Sequence, residues 1–404
     1  MTEEKTCLFE NTLCIRALAF AGEGVGDSDA IDRALAYMNE SHIRTLVLDG
    51  RDWTLERAAE LPSDSRIVVD GVCVRQADGV LDNIFRPDGI RIDPADPFGY
   101  PFEICPTENI RIQGINGAVL EGPAVNPKMY HPVLGEMQET LGDYWGWRGF
   151  LVFFTRCAGF ELSGFTLRRT RSWAISMERS KNGYLHDLEI YSDCKNGDGI
   201  NIRVGCSRIF IENIRACTSD DCIAINSLAS ETRQYPFKNY VYTLFPSDYL
   251  VDRGEPIEDR YIHDIRISNI VSATEHYSEA VAFLTRQGHR IFRVWIHGVY
   301  DGNPVRPPKR INMVGAYYTQ GYGDAVIRDD DLAEIRIDTV VSNSTADAIL
   351  FRYRVKDLWI NNVVQNCPGG TVLTAMDQEL TLTNCRAVSG PLRAPAENWK
   401  FIPR

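Results

Sequence analysis

The sequence predicts an all-β solenoid, a parallel β-helix with one capping helix at its N-terminal end. Three observations carry this prediction. From Gly149 onward, short apolar strands recur at intervals of about 22 residues. Each is followed by a second strand of similar kind. The turns between them are rich in Asn, Gly, Asp and Ser, with almost no helical periodicity. Such a unit cannot bury its apolar face alone, and stacking coil on coil buries a continuous column. Propeller blades need a longer period, and sandwiches show hairpin turns rather than a fixed repeat.

Taken in order, Met1 to Ile15 carries Glu3, Glu4 and Lys5 and no apolar stretch of the secretory kind. The chain is therefore expected in the cytoplasm. One helix is readable at about 27–40. Asp27 or Ser28 can cap it, and Ala30, Ile31, Ala34, Leu35 and Met38 fall at helical spacing. It is expected to cover the open end of the solenoid, where a bare strand edge would invite aggregation. The repeating strands start at Phe150, Trp173, Gly199, Cys222, Ala280, Ala325, Ala348 and Thr371. Second strands follow at Phe160–Leu162, Ile209–Ile211, Ile265–Ile267, Ile335–Ile337 and Leu358–Ile360. Two segments break the repeat, residues 122–148 and 228–258, and both are aromatic. The first holds Trp145 and Trp147, rings on which a sugar could stack. The second holds Tyr235, Phe237, Tyr240, Tyr242 and Tyr249. No linker divides residues 1–404, so one domain is expected.

Composition narrows the function. The net charge of −12 argues against nucleic acid and anionic membrane as partners. No run approaches the length of a membrane span. The eleven cysteines lack C-x-x-C spacing and read as small buried hydrophobes in a reducing compartment. Neither a cofactor nor a resident metal is expected, and the oligomeric state is not legible.

The acidic residues are the informative ones. Strands in a stack lie about 4.8 Å apart, so equivalent positions in successive coils form a column. Aligning the strand starts puts Asp198, Asp221, Glu279, Asp324 and Asp347 just before their strands, with Asp220 beside Asp221. One acid at a turn ordinarily bonds nearby backbone N–H groups. Five at one position, with a doubled pair, point to chemistry. Like charges held together push carboxyl pKa values apart, as acid/base catalysis requires. Two rungs of reach suits inverting glycoside hydrolysis, which leaves room for a water between the carboxyls.

These residues resemble the polygalacturonase family, glycoside hydrolase family 28. Asn196-Gly197-Asp198-Gly199 is similar to its N-T-D-G motif, and Ser219-Asp220-Asp221-Cys222-Ile223-Ala224 to its G-D-D-C-I-A motif. Gly26–Ile31 looks like the family's helix start, and Asn109–Gly114 like its first coil. The resemblance implies a right-handed β-helix that hydrolyses α-linked pectic sugars with inversion. Asp220 or Asp221 would be the general acid, and Asp198 with the other of the pair would activate the water.

Two family motifs are altered. Where G-H-G is expected the chain reads Ser278-Glu279-Ala280, with His276 and His289 near in sequence. The R-I-K motif, which contacts the substrate carboxylate, aligns with the segment Asp324–Arg328, so that Arg328 replaces its lysine. A second alignment is Arg310-Ile311-Asn312, with the last cation lost. Glu279 beside the acid pair would repel a uronate, which favours a neutral or less charged glycoside. A cytoplasmic location favours trimming of imported oligosaccharides from the chain end. Two other readings stand beside this one. One is a polysaccharide lyase or epimerase, whose acidic column could hold Ca²⁺. The other is a carbohydrate-binding solenoid without catalysis.

Overall fold

The computed structural model describes residues 5–92, 101–132, 134–227, 243–247, 256–273, 279–285, 288–303, 311–316, 328–375, 380–387 and 399–401. The architecture is a right-handed parallel β-helix. Each coil contributes one short strand and one long strand bent twice. The short strands Val152–Thr155, Ile175–Glu178, Ile200–Arg203, Ile223–Asn226, Glu279–Leu284, Asn312–Ala316, Asp347–Phe351 and Thr371–Ala375 form one parallel sheet. The long strands include Lys181–Tyr191, Ser207–Cys217, Ile262–Ser272, Ile291–Asp301, Leu332–Ser342 and Lys356–Gln365, also parallel and in register.

Two stacked columns of left-handed residues make the bends. Asn182, Arg208, Asp264, Arg293, Glu334 and Asp357 turn the chain early in each long strand. Asp187, Asn213, Asn269, Gly298, Thr339 and Asn362 turn it again near the middle, all with positive φ. Asn, Asp and Gly enter this region at the lowest cost. Side chains of the second column also bond from rung to rung. Asn213 Nδ2 donates to Asp187 Oδ1 (3.0 Å), and Asn269 Nδ2 donates to Asn213 Oδ1 (2.7 Å).

Alternation sends every second side chain inward. Leu185, Ile211, Ile267, Ile296, Ile337 and Ile360 pair in register and are fully buried. Each such side chain contributes about 1.5–3 kcal/mol of burial. One hydrophobic cluster runs from this column to the N-terminal helix α1, Asp27–Ser41, whose Ala30, Ile31, Ala34, Leu35 and Met38 face it.

The helix differs from expectation at its start. Its N-cap is Gly26, which makes no side-chain capping bond. Asp27 instead pairs with Arg51 and accepts from the Thr54 N–H. The Ser28 hydroxyl donates to the Arg57 carbonyl and accepts from the Glu56 N–H. Both residues thus bind the helix to the next strand, which accounts for their polarity at this place.

The short sheet also corrects the repeat. The strand that follows Glu279–Leu284 is Asn312–Ala316, with Glu279 paired to Asn312. It had been expected at Ala325. Gly315 interrupts the apolar alternation of the true strand, and that weakened its signal. Most of segment 228–258, including its five tyrosine and phenylalanine residues named above, lies outside the described residues. No described helix is long and apolar enough to cross a membrane.

Candidate active site

The carboxylates sit where each turn enters the short sheet. The backbone ladder runs straight through them. The Ala174 N–H donates to the Asp198 carbonyl (2.9 Å), Gly199 N–H to Asp221 (2.9 Å) and Cys222 N–H to Glu279 (3.0 Å). Asp198, Asp221 and Glu279 therefore occupy three successive rungs, each about 4.8 Å from the next. Asn312 takes the fourth rung.

Glycine makes this close stacking possible. A Cβ on Gly199 would lie 2.5 Å from the Cys222 carbonyl oxygen, and one on Gly197 would lie 1.8 Å from Ser192 Oγ. Both glycines flanking Asp198 are thus fixed by the approach of neighbouring chain. Further along, a Cβ on Gly315 would meet Glu279 Cγ at 2.8 Å. The Glu279 carboxyl lies over that glycine.

Each acid is held. Asn201 Nδ2 donates to Asp198 Oδ2 (2.9 Å), the Glu279 N–H to Asp221 Oδ1 (2.9 Å), and Asn312 Nδ2 to Glu279 Oε1 (2.9 Å). Asp220 Oδ1 accepts from the Asp221 N–H (3.1 Å). Asp198, Asp221 and Glu279 are buried, whereas Asp220 is partly exposed.

Burial is the first cause of their electrostatics. It raises Asp198 well above the ordinary carboxylate range, and the charge of Asp220 adds to it. Asp221 is raised likewise by burial, then by Asp220, Glu279 and Asp198. Glu279 rises from 4.5 to about 7 through burial, although bonds from Asn312 and Asp221 oppose the shift. Carboxyls this close cannot all ionise, so the cluster keeps a proton to pHs where a lone Asp has lost it. That is what a general acid needs.

The other expected residues fare differently. Asp324 and His276 lie outside the described residues. Arg328 is an exposed turn residue ahead of the long strand Leu332–Ser342, and its N–H donates to Asp331 Oδ2 (2.7 Å). Register pairs Asn312, the last place of the second R-I-K alignment, with Glu279, whereas Arg328 lies outside the short sheet. His289 is 4 % exposed and its Nδ1 donates to the Ser227 carbonyl (3.1 Å), a clasp between neighbouring coils. Trp145 and Trp147 are each 2 % exposed and present no face to a sugar. Trp145 packs edge-on against His131 and Trp147 against Phe153. The Trp147 ring holds the 122–148 segment to the solenoid, and the Trp145 ring packs within that segment.

Three residues were missed. Asp143, buried in that same segment, accepts from Asn196 Nδ2 (2.7 Å), and its charge also pushes Asp198 up. Arg352, after the strand Asp347–Phe351, pulls Glu279 down. Asn312 anchors Glu279. Only Asn312 carried a signal, as the last place of the second R-I-K alignment. Among the described residues, no group of three or more His, Cys, Asp and Glu is arranged to hold a metal ion.

This fold and site define a class by architecture, the right-handed parallel β-helices with a carboxylate cluster at the entry to the short sheet. The model of the family "Glycosyl hydrolases family 28" matches residues 101–235, a span that includes Asp198, Asp220 and Asp221. The resemblance read from the motifs is thus shown over that span. Sequence comparison with curated proteins finds no match. Among solved structures, the tailspike protein of E. coli bacteriophage HK620, in complex with a pentasaccharide, is similar at TM-score 0.54. The two are 12% identical, over 100% of this chain and 69% of that one. The surface protein and adhesin PfbA of Streptococcus pneumoniae is similar at TM-score 0.52 and 11% identity, over 96% and 97%. A family 28 exopolygalacturonase from Yersinia enterocolitica is 15% identical at TM-score 0.48, over 96% and 77%.

Proposed function

We propose that this chain is a glycoside hydrolase that inverts configuration and trims pectic or related oligosaccharides from the chain end. The observation that carries this is three carboxylates on two adjacent rungs, with Asp198 and Asp221 raised by burial and mutual repulsion. Asp220 is the partly exposed member and the one a glycosidic oxygen can reach. It donates the proton to the leaving group. With the cluster's proton placed on Asp220, the ionised Asp198 and Asp221, fixed by Asn201 and by the Glu279 N–H, hold and deprotonate the attacking water.

Two substitutions relative to the family shape specificity. Glu279 and Asn312 stand at the G-H-G and R-I-K places and bond to each other. An acid and an amide there remove the cations that would greet a uronate. The glycosyl unit in the cleft is therefore neutral, such as a rhamnoside or galactoside. Contact of Asp143 with Asn196 brings the 122–148 segment against the acidic turn, which supports a closed, end-acting pocket. Imported oligosaccharides in the cytoplasm are the matching substrate.

The test is turnover of aryl glycosides and pectic oligosaccharides, following reducing ends and ultraviolet absorbance together. Wild type should release reducing ends without absorbance. Asp198→Asn, Asp220→Asn and Asp221→Asn should each lower kcat by about 10²–10⁴-fold while keeping the wild-type circular dichroism spectrum. New absorbance would mean elimination and replace the hydrolase by a lyase. Full activity in all three variants would end the proposal.

A further inference from the structure

Around the corner from the carboxylates, the long strands carry a second surface. Between the two left-handed corners, their outward positions stack in register as Tyr184, Phe210, Arg266, Trp295, Arg336 and Trp359. Rings and guanidinium groups follow one column over six rungs, about 24 Å from first to last. The inward neighbours Ile265, Ile267, Ile335 and Ile337 are buried, which fixes the direction of this column toward solvent. Over its first half lies a groove of about 730 Å³, with Glu212, Ser268 and His297 in the next outward column, and Glu212 accepts from the Tyr184 hydroxyl (2.9 Å).

Two properties set this surface apart from ordinary sheet exterior. Large rings remain open, with Tyr184 37% and Phe210 40% exposed. Cations sit in the same column. The Arg266 guanidinium lies over both Phe210 (5.3 Å) and Trp295 (4.5 Å). Arg266 and Arg336 are exposed, and neither joins an ion pair among the described residues. The chain has a net charge of −12, and two cations without carboxylate partners among the described residues favour an acidic ligand. A guanidinium fork matches a carboxylate.

Spacing indicates the rest of that ligand. Phe210, Trp295 and Trp359 are two rungs apart, about 10 Å. This is close to the advance of two pyranose units in an extended glycan. Sugars stacked on these rings would set the intervening carboxylates at Arg266 and Arg336. We infer that this column is a second carbohydrate site, separate from the cleft, that takes an extended uronate-containing oligosaccharide of about five units. It stands whether or not the cleft is hydrolytic.

The experiment is calorimetric titration of the whole chain with oligogalacturonides and with neutral galacto-oligosaccharides of equal length. Wild type should bind the acidic series more tightly. Arg266→Gln with Arg336→Gln should weaken that binding about tenfold and abolish the acidic preference, while aryl glycoside turnover stays at the wild-type level. Trp295→Ala with Trp359→Ala should weaken it about as much, and the arginine pair decides the matter should those variants misfold. Asp198→Asn should leave the binding in place. Absence of acidic binding would overturn the inference. So would equal binding of the neutral series, or binding lost in Asp198→Asn and kept in the ladder variants. Retained ladder binding with no hydrolysis by wild type would sink the hydrolase proposal alone.

Discussion

Glu279 shows how a single side chain ties folding to pH. Its carboxyl rises to about 7, from 4.5 when unfolded. A carboxyl raised by folding stabilises the native state fully below its unfolded pKa, and that contribution is lost as pH climbs through the folded value. Wild type should therefore lose stability between about pH 4.5 and 7, Asp198 and Asp221 acting in the same direction. In Glu279→Gln the Asn312 bond can persist, because an amide oxygen still accepts. Thermal melts should show the variant equal to wild type near pH 4.5 and more stable near pH 7.5, by at most about 3 kcal/mol. A wild-type melt that is flat across this range would refute the raised carboxyl. The same variant lacks a negative charge beside the cluster above pH 7. The cluster then gives up its proton more readily, so the alkaline limb of kcat should move to lower pH. Gly315→Ala reaches the same group by another route. Its Cβ would press on Glu279 Cγ, and the cost of such overpacking is about 1–3 kcal/mol. Its alkaline limb should move as well, which a general loss of stability would not cause.

At the scale of elements, the corner columns decide how the long strands bend. Asn213 combines a left-handed φ with bonds to Asp187 and Asn269. Asn213→Ala loses both bonds and strains the backbone, for about 1–3 kcal/mol, whereas Asn213→Gly should recover part of the loss because glycine accepts that φ. Equal denaturation midpoints for the two variants would remove the conformational share of the argument. Elements also show what the sequence could and could not reveal. Strands such as Ile200–Arg203 and Ile223–Asn226 were legible because apolar alternation and the Asp-Gly or Asp-Cys start coincide. The acidic turns at Asp198 and Asp221 followed from aligning those starts. Register failed after Leu284, where Met313-Val314-Gly315 is a weak apolar triplet and Ala325-Val326-Ile327 a stronger decoy. The aromatic residues of 122–148 misled for another reason. A loop tryptophan looks alike in sequence whether it faces a sugar or its own scaffold, and only burial separates the two. Asp143 was invisible because a lone loop acid shows no pattern until the fold sets it beside Asn196.

For the molecule as a whole, the solenoid has a covered N-terminal end. Helix α1 lays its apolar face over the column that begins with Leu46 and Trp53. Removing residues 1–41 would bare both that column and the edge of the first coil. Such a variant should form large assemblies on size-exclusion chromatography, since an open parallel edge templates further pairing. A monodisperse, folded product would show that the helix is dispensable. Parallel ladders also join residues distant in sequence, so refolding should be slow, in the millisecond-to-second range or longer. Stopped-flow fluorescence of the tryptophans checks this.

The pairing of Ile223 with Val281 has a further consequence. Position in this molecule is kept by rung, and the length of chain spent between rungs is free to vary. The stretch between Asn226 and the long strand Ile262–Ser272 joins two rungs that are themselves held in register. It can be exchanged for another of different length and composition without moving Glu279 relative to Asp221. On the hydrolase proposed above, any contact that this stretch makes with substrate is therefore separable in inheritance from the transfer of protons. A lineage built on this scaffold can change what it recognises many times while the proton chemistry stays on the rungs where it began.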